Sequence, residues 1–179
     1  MPRKPDPTLE PRILDAAIRL LDQRGLDAVT MRDVARLART TTPSIYERFV
    51  DRDALLHAVM MRVRNEVLPL MESSKDLGAI GDIFIDYFRK HPRRIDIVLR
   101  VWPKLFAAGQ PLPGFEITNR RLREEFGHTN KIAHDIVIAS FSLLMGSAVM
   151  IAGSGIDTPA AKAFESATRK ALQKIFAGI

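Results

Sequence analysis

The chain is 179 residues long, 46% hydrophobic and 27% charged, with a formal net charge of +6 and no cysteine. This balance is ordinary for a globular chain and argues against disorder. The lack of cysteine excludes disulfides, thiolate metal sites and cysteine nucleophiles, and fits the reducing cytoplasm where the protein is expected to reside.

Residues 1–8 hold three prolines and alternate in charge, which reads as a flexible arm. No apolar run follows the basic residues, so no signal peptide is expected. Arg3 and Lys4 would be able to enter a minor groove, although a solvated tail is the commoner fate of so short a charge pair. From Leu9 the pattern turns helical. Ile13, Leu14, Ala17, Ile18 and Leu21 share one face, and Gly25 marks the stop. Thr30, three residues before Asp33, opens a second short helix whose inner face is Met31, Val34, Ala35 and Ala38. The threonines at 40, 41 and 42 suit a helix start, and Pro43 suits a first turn. A third helix therefore begins near Thr41 or Thr42 and carries Ser44, Ile45, Tyr46, Arg48 and Phe49. Asp51 caps a fourth. Further helices are expected over 54–72, 76–91, 93–108, 114–127, 130–154 and 158–177, with no alternating strand pattern, so the fold class is all-α. The domains are 9–53, a helix-turn-helix, and 54–179, a second helical domain.

Two short helices joined by a tight turn and buttressed by a longer one make a helix-turn-helix. Its second short helix needs small polar groups that reach base edges in the major groove, and Thr41, Thr42, Pro43 and Ser44 stand there. Phosphate donors are needed on the flanks, for which Thr30, Arg32, Tyr46, Arg48 and Arg52 are candidates. Bulk charge does not identify this surface. Residues 1–53 carry ten Lys/Arg against nine Asp/Glu, and residues 54–179 carry seventeen against twelve.

The run ILDAAIRLLDQRGLDAVTMRDVARLARTTTPSIYERFVDRDALL, from Ile13 to Leu56, resembles the DNA-binding domain of the TetR (tetracycline repressor) family. Ala16–Ala17, the Gly25 stop, Thr30 with Val34 and Ala35, Ser44-Ile45-Tyr46, and Phe49 with Asp51, Asp53 and Leu55 carry the resemblance. It implies a dimeric, all-helical repressor that binds palindromic double-stranded DNA and releases it on binding a small molecule, with 54–179 as the ligand-binding and dimerisation domain. Two positions depart. Arg39 stands where the family usually has glycine in the turn, and Thr40 where it has a branched apolar residue. A positive φ at Arg39 would cost about 1 kcal/mol or more, so either the turn differs or the third helix starts later.

In the C-terminal part, Ile136–Ile156 contains no charged residue. Length makes it a membrane candidate, but its serines and glycines and its lack of aromatic or basic anchors favour a helix buried between its own domain and a twofold partner. Ala139, Gly146, Ser147 and Ala148 would permit close helix approach. The last helix, with Ala160, Ala163, Phe164, Ala167, Ala171, Leu172 and Ile175, would complete a homodimer interface. Phe84, Tyr87, Phe88, Trp102, Phe106, His134, Phe141 and Met145 are candidates for an apolar ligand pocket, with Asn130 as a further polar group; plain core is the competing reading for each. No P-loop, GxSxG elbow or metal-ligand spacing is found, so neither an enzyme, a cofactor nor a metal site is expected. Two functions compete: a ligand-responsive regulator, and a helical protein-interaction or small-molecule-binding module that has lost DNA binding.

Overall fold

The computed structural model describes residues 6–110, 113–127 and 130–177. Among them every regular element is a helix: α1 (Leu9–Arg24), a short 3-10 turn (Leu26–Ala28), α2 (Met31–Leu37), α3 (Thr42–Tyr46), α4 (Arg52–Glu72), α5 (Leu77–Lys90), α6 (Arg94–Ala107), α7 (Pro113–Phe126), α8 (Asn130–Ser154) and α9 (Pro159–Ala177). Each expected helix of the C-terminal part lies within two residues of its expected ends, because capping residues mark the boundaries. Asp51 accepts from the Ala54 N–H at 2.7 Å and Asp76 from the Ala79 N–H at 2.8 Å. Gly25 ends α1 at φ 85, its N–H on the Leu21 carbonyl.

Two expectations change. Residues 6–8 are not loose: the Asp6 carboxylate accepts from the Thr8 N–H and hydroxyl and from Arg12, which pulls its pKa below the ordinary value, chiefly through the Thr8 hydroxyl. Arg3 and Lys4 lie outside the described residues. The third helix is also shorter than expected. It ends at Tyr46, and Arg48 and Phe49 fall in the turn beyond it, their N–H groups both on the Ile45 carbonyl.

One continuous core runs from Ile13, Leu21, Val34 and Ile45 through Leu55, Leu56, Val59 and Val63 of α4 to Ile97, Leu122 and Val137. The expected boundary between residues 53 and 54 falls inside the first turn of α4, so the two parts share a helix as well as a core. A smaller cluster of Ile85, Leu144 and Leu172 joins α5, α8 and α9.

By length and composition α8 is the helix among the described residues that could cross a membrane. In the fold it packs on α9, α5, α6 and α7. Its uncharged stretch from Ile136 onward continues a helical period. Ala133, Val137, Ser140, Leu144, Ser147, Ala148 and Ile151 face inward, while Ala139, Ser142, Gly146, Val149, Met150 and Gly153 face outward. Ser147, Ala148 and Leu172, expected at the partner interface, therefore belong to the chain's own core. Ser147 accepts from the Thr168 hydroxyl at 2.7 Å, a buried bond that pins α8 to α9. The outward residues of α9 include Ala160, Ala163 and Ala167.

Candidate nucleic-acid interface and ligand cavity

The short helix α3 is held by its apolar side. Ile45 is fully buried and Phe49 nearly so, against Val34, Ala35 and Ala38 of the preceding helix and turn. The opposite side is open: Pro43 and Thr41 are exposed, Thr42 and Ser44 are half-buried, and Tyr46 is 51% exposed. A large aromatic side chain left half in water on a five-residue helix is not explained by packing. Thr42, Pro43 and Tyr46 are thus presented together, with Arg32 exposed on α2.

Several candidates have structural work of their own. The Thr30 oxygen accepts from the Asp33 N–H at 3.1 Å and its hydroxyl donates to the Asp33 carboxylate at 2.8 Å. That bond holds the Asp33 carboxyl below its ordinary pKa, with Arg36 assisting. Thr41 caps α3 through the Ser44 N–H at 3.3 Å, and the two hydroxyls pair at 2.9 Å. Arg48 donates to the carbonyls of Ser44 and Asp6, tying the segment before α1 to the recognition helix. Arg52 donates to the carbonyls of Val29 at 2.7 Å and Leu26 at 2.8 Å, so it closes the loop between α1 and α2 rather than standing free for a phosphate.

The turn between α2 and α3 keeps the usual geometry in spite of its sequence. Arg39 has φ 54, the Thr40 N–H reaches the Ala35 carbonyl at 3.0 Å and the Arg39 N–H the Arg36 carbonyl at 3.3 Å, the two bonds of a Schellman ending. Arginine occupies a conformation that glycine enters without a Cβ clash. Arg39→Gly is therefore expected to stabilise the chain by about 0.5–1 kcal/mol, the relief of strain exceeding the extra chain entropy of glycine. Urea denaturation checks this, and an unchanged or lower midpoint would contradict it.

In the C-terminal part, α4 to α9 enclose a cavity with about 910 Å³ of space not filled by protein, counting the portion open to solvent. Of the candidate pocket residues, Phe84, Phe88, Trp102 and Phe141 line it. Trp102 and Phe141 stack with centroids 3.9 Å apart, and Phe115 meets both edge-on. These three rings also line a second, outer cleft that includes Phe106 and Met145, so they form the wall between the two spaces. Phe106 is 56% exposed and belongs to the outer cleft alone. His134 is exposed and lines neither space. Tyr87 faces away: its hydroxyl donates to Glu66 at 2.9 Å and accepts from Arg94 at 2.5 Å, and burial raises its pKa. The side chain of Asn130 lies outside the described residues.

Sequence reasoning missed the wall contributed by α4, namely Met60, Met61, Arg64, Val67, Leu68 and Met71. A signal was present. Met60, Arg64, Val67 and Met71 fall at successive spacings of four, three and four, so an arginine interrupts an apolar helical stripe.

Ion pairs join the cavity's helices to the DNA-binding part. Arg94, only 6% exposed, reaches Asp22 of α1 at 2.7 Å and Glu66 of α4 at 2.5 Å. Burial opposes its charge, but the bonds from Asp22 and Tyr87 prevail and hold its pKa above the ordinary value. Arg93 donates to the Gln23 carbonyl. Further along α6, Lys104 and Arg100 bind Asp53 in the first turn of α4 at 2.5 and 3.3 Å. Their hydrogen bonds, Lys104's first, hold the Asp53 carboxyl below its ordinary pKa. That tie is complete at neutral pH and is lost as pH falls through the lowered value.

Residues 13–59 match the family described as bacterial regulatory proteins, tetR family. A comparison with curated protein sequences finds no match. Solved structures of similar fold include a TetR variant from Acinetobacter baumannii AYE in complex with minocycline, 21% identical over 98% of this chain and 96% of that one, with a TM-score of 0.74. A TetR-family transcriptional regulator from Streptomyces coelicolor is 17% identical over 96% of this chain and 99% of its own, with a TM-score of 0.73. BioQ with its double-stranded DNA operator is 20% identical over 94% and 96%, with a TM-score of 0.71. Residues 13–59 thus match the DNA-binding domain of the tetR family of bacterial regulatory proteins, and the chain shares its all-helical fold with these solved structures over nearly its whole length.

Proposed function

We propose that the protein is a dimeric, ligand-responsive DNA-binding regulator of the cytoplasm, not an enzyme: a repressor that leaves a palindromic operator when a small, largely apolar molecule fills the cavity. One observation carries this reading. A recognition helix anchored by Ile45 and Phe49 presents Thr42, Pro43 and Tyr46 outward, and α4, which follows it within a few residues, forms a wall of the cavity. The similar folds seen with operator DNA and with minocycline support both halves of it. Thr42, Pro43 and Tyr46 would read bases, with Arg32 on phosphates. Arginine in place of the family's usual glycine at position 39 leaves the turn geometry intact.

Ligand would act through α4 and α6. Arg93 and Arg94 tie α6 to α1, and Arg100 and Lys104 tie it to the start of α4. A shift of these helices to fit a ligand would move the two recognition helices off half-sites about one helical turn apart. The test is selection of bound duplexes from a random pool. A palindromic winner whose affinity falls steeply with salt is expected. No enrichment by a folded dimer would make the helix-turn-helix a scaffold.

The dimer would form through the outward faces of α8 and α9. Around Gly146 an added Cβ meets nothing within 4 Å, so the single chain accepts a large residue there and only a partner would clash. Gly146→Arg is therefore expected to convert the dimer to a folded monomer in sedimentation, with circular dichroism unchanged. A dimer of wild-type affinity would remove α8 from the interface.

A further inference from the structure

The cavity wall is apolar except for a few groups, and those are unevenly matched. The Thr118 hydroxyl is satisfied by the Gly114 carbonyl at 2.8 Å. The Arg64 Nε, the Trp102 Nε1 and the Ser140 hydroxyl are buried and have no hydrogen-bond partner. The first two only donate, and the third is able to. No Asp, Glu, Asn, Gln or His side chain lines the cavity among the described residues. Arg64's only polar partner is the Met61 sulfur, 3.7 Å from Nη1, and among the described residues no carboxylate lies within ion-pair distance of it. Two other arginines turned toward the interior have ion-pair partners, although the Arg121 Nε is itself unpartnered. Arg94 has Asp22 and Glu66, and Arg121 has Glu125 with the carbonyls of Glu72 and Ser74.

Arg64 is part-buried, its Nε is sealed from water in an apolar wall, and among the described residues it has no counterion, so a negative group entering the cavity would gain a charge-assisted hydrogen bond there. Three orphaned groups able to donate, with no carboxylate, amide or imidazole side chain in the wall among the described residues, specify what that group would be. We propose that the cavity takes an amphipathic organic anion, an apolar body ending in a carboxylate, and that Arg64 pairs with the carboxylate. A carboxylate fits better than a phosphate because Arg64 is the one cationic side chain lining the cavity among the described residues, enough for a monoanion. Met60, Met71, Phe84, Phe88, Trp102 and Phe141 would enclose the apolar body. This assignment rests on the reading of the cavity as the effector site and adds the chemical class of the effector.

The experiment uses the full-length protein and two probe series of matched shape: decanoate, decanol and decylamine, and naphthaleneacetate, naphthaleneethanol and naphthaleneethylamine. Binding is measured by calorimetry without DNA. In at least one series the carboxylate is expected to bind at least about tenfold more tightly than the alcohol, with the amine weakest, as a charge-assisted hydrogen bond predicts. Arg64→Gln is expected to abolish that preference while leaving alcohol affinity within about twofold, the alcohol reporting that the cavity is intact. Arg64→Lys should keep part of the preference. Failure of both carboxylates to bind, equal or tighter binding of alcohol or amine, or a preference that survives Arg64→Gln would each overturn the proposal. The comparison within the wild-type protein decides it even if a variant does not fold. Release of the selected duplex is measured separately. A carboxylate that binds through Arg64 without releasing DNA would leave this inference standing and overturn the ligand-responsive part of the proposed function.

Discussion

Replacing Arg94 by methionine is expected to lower stability by about 2–3 kcal/mol and the melting temperature by roughly 4–12 °C. Arg94 is the junction of three helices outside its own. Its Nε and one terminal nitrogen hold both Asp22 oxygens of α1, and the other terminal nitrogen holds Glu66 of α4 and the Tyr87 hydroxyl of α5. Removing one partner of a buried pair usually costs about 3–5 kcal/mol, because the survivor keeps a charge it cannot hydrate. Here the survivors are partly wet: the side chains of Asp22 and Glu66 are 31% and 40% exposed, which reduces the cost. Glu66→Gln should cost less than half as much, since Asp22 and Tyr87 still satisfy the guanidinium. Denaturant titration of the three proteins separates these outcomes. An Arg94→Met protein within about 0.5 kcal/mol of wild type would show the junction to be energetically idle. The same variant bears on signalling: if the junction couples the cavity to α1, ligand should release DNA less completely from Arg94→Met than from wild type at saturation.

Tyr46→Ala is expected to weaken binding to the selected operator at least about thirtyfold at fixed salt, since one base-reading interaction is worth about 1–3 kcal/mol and a symmetric dimer loses two. Tyr46 is half exposed and no structural hydrogen bond engages its hydroxyl in the described residues, so the loss should leave stability nearly unchanged. Thr42→Ala should act in the same direction and relax the sequence preference. Arg32→Ala makes the informative contrast. Taking one phosphate-binding cation away from each half-site should weaken binding to all duplexes alike and flatten the salt dependence by about one unit per phosphate. Tyr46→Ala with wild-type operator affinity would remove that residue from the base-reading set. Equal losses on random and selected duplexes would move it to the phosphate-binding set.

Most of the helix plan was legible in the chain because its signals are local. Thr30, Thr41, Asp51 and Asp76 cap the helices they precede, and Gly25 ends α1, through bonds that span no more than four residues. The helix-turn-helix was legible for the same reason, with its apolar anchors and exposed polar positions spaced along one short stretch. The candidate DNA surface was only partly so. A threonine, serine or arginine near a helix start looks the same whether it meets a phosphate or its own backbone. The sequence could not say that Arg48 reaches back to the Asp6 carbonyl, or that Arg52 closes the loop at Leu26 and Val29, more than twenty residues away.

The cavity was legible as a composition and not as a lining. Aromatic residues predicted an apolar interior, and four of the eight named side chains line the inner space. Which ones do so depends on helix rotation, and rotation is decided by long-range partners. Tyr87 is turned away by Glu66 and Arg94, twenty-one residues before it and seven after. Phe106 and His134 sit where α6 and α8 turn to solvent. In α8, too few polar residues are present to show which apolar face packs inward, so Ser147 and Ala148 could not be told from Ala139 and Gly146 until α9 was in place. By itself, then, the sequence determined helix class, helix ends and the place of the helix-turn-helix, because hydrogen bonds and apolar spacing within a few residues suffice for those. Only the tertiary structure decided which arginines are paired, which aromatics face the cavity, and that Arg64 meets that space without a counterion, because each depends on groups brought together from distant parts of the chain.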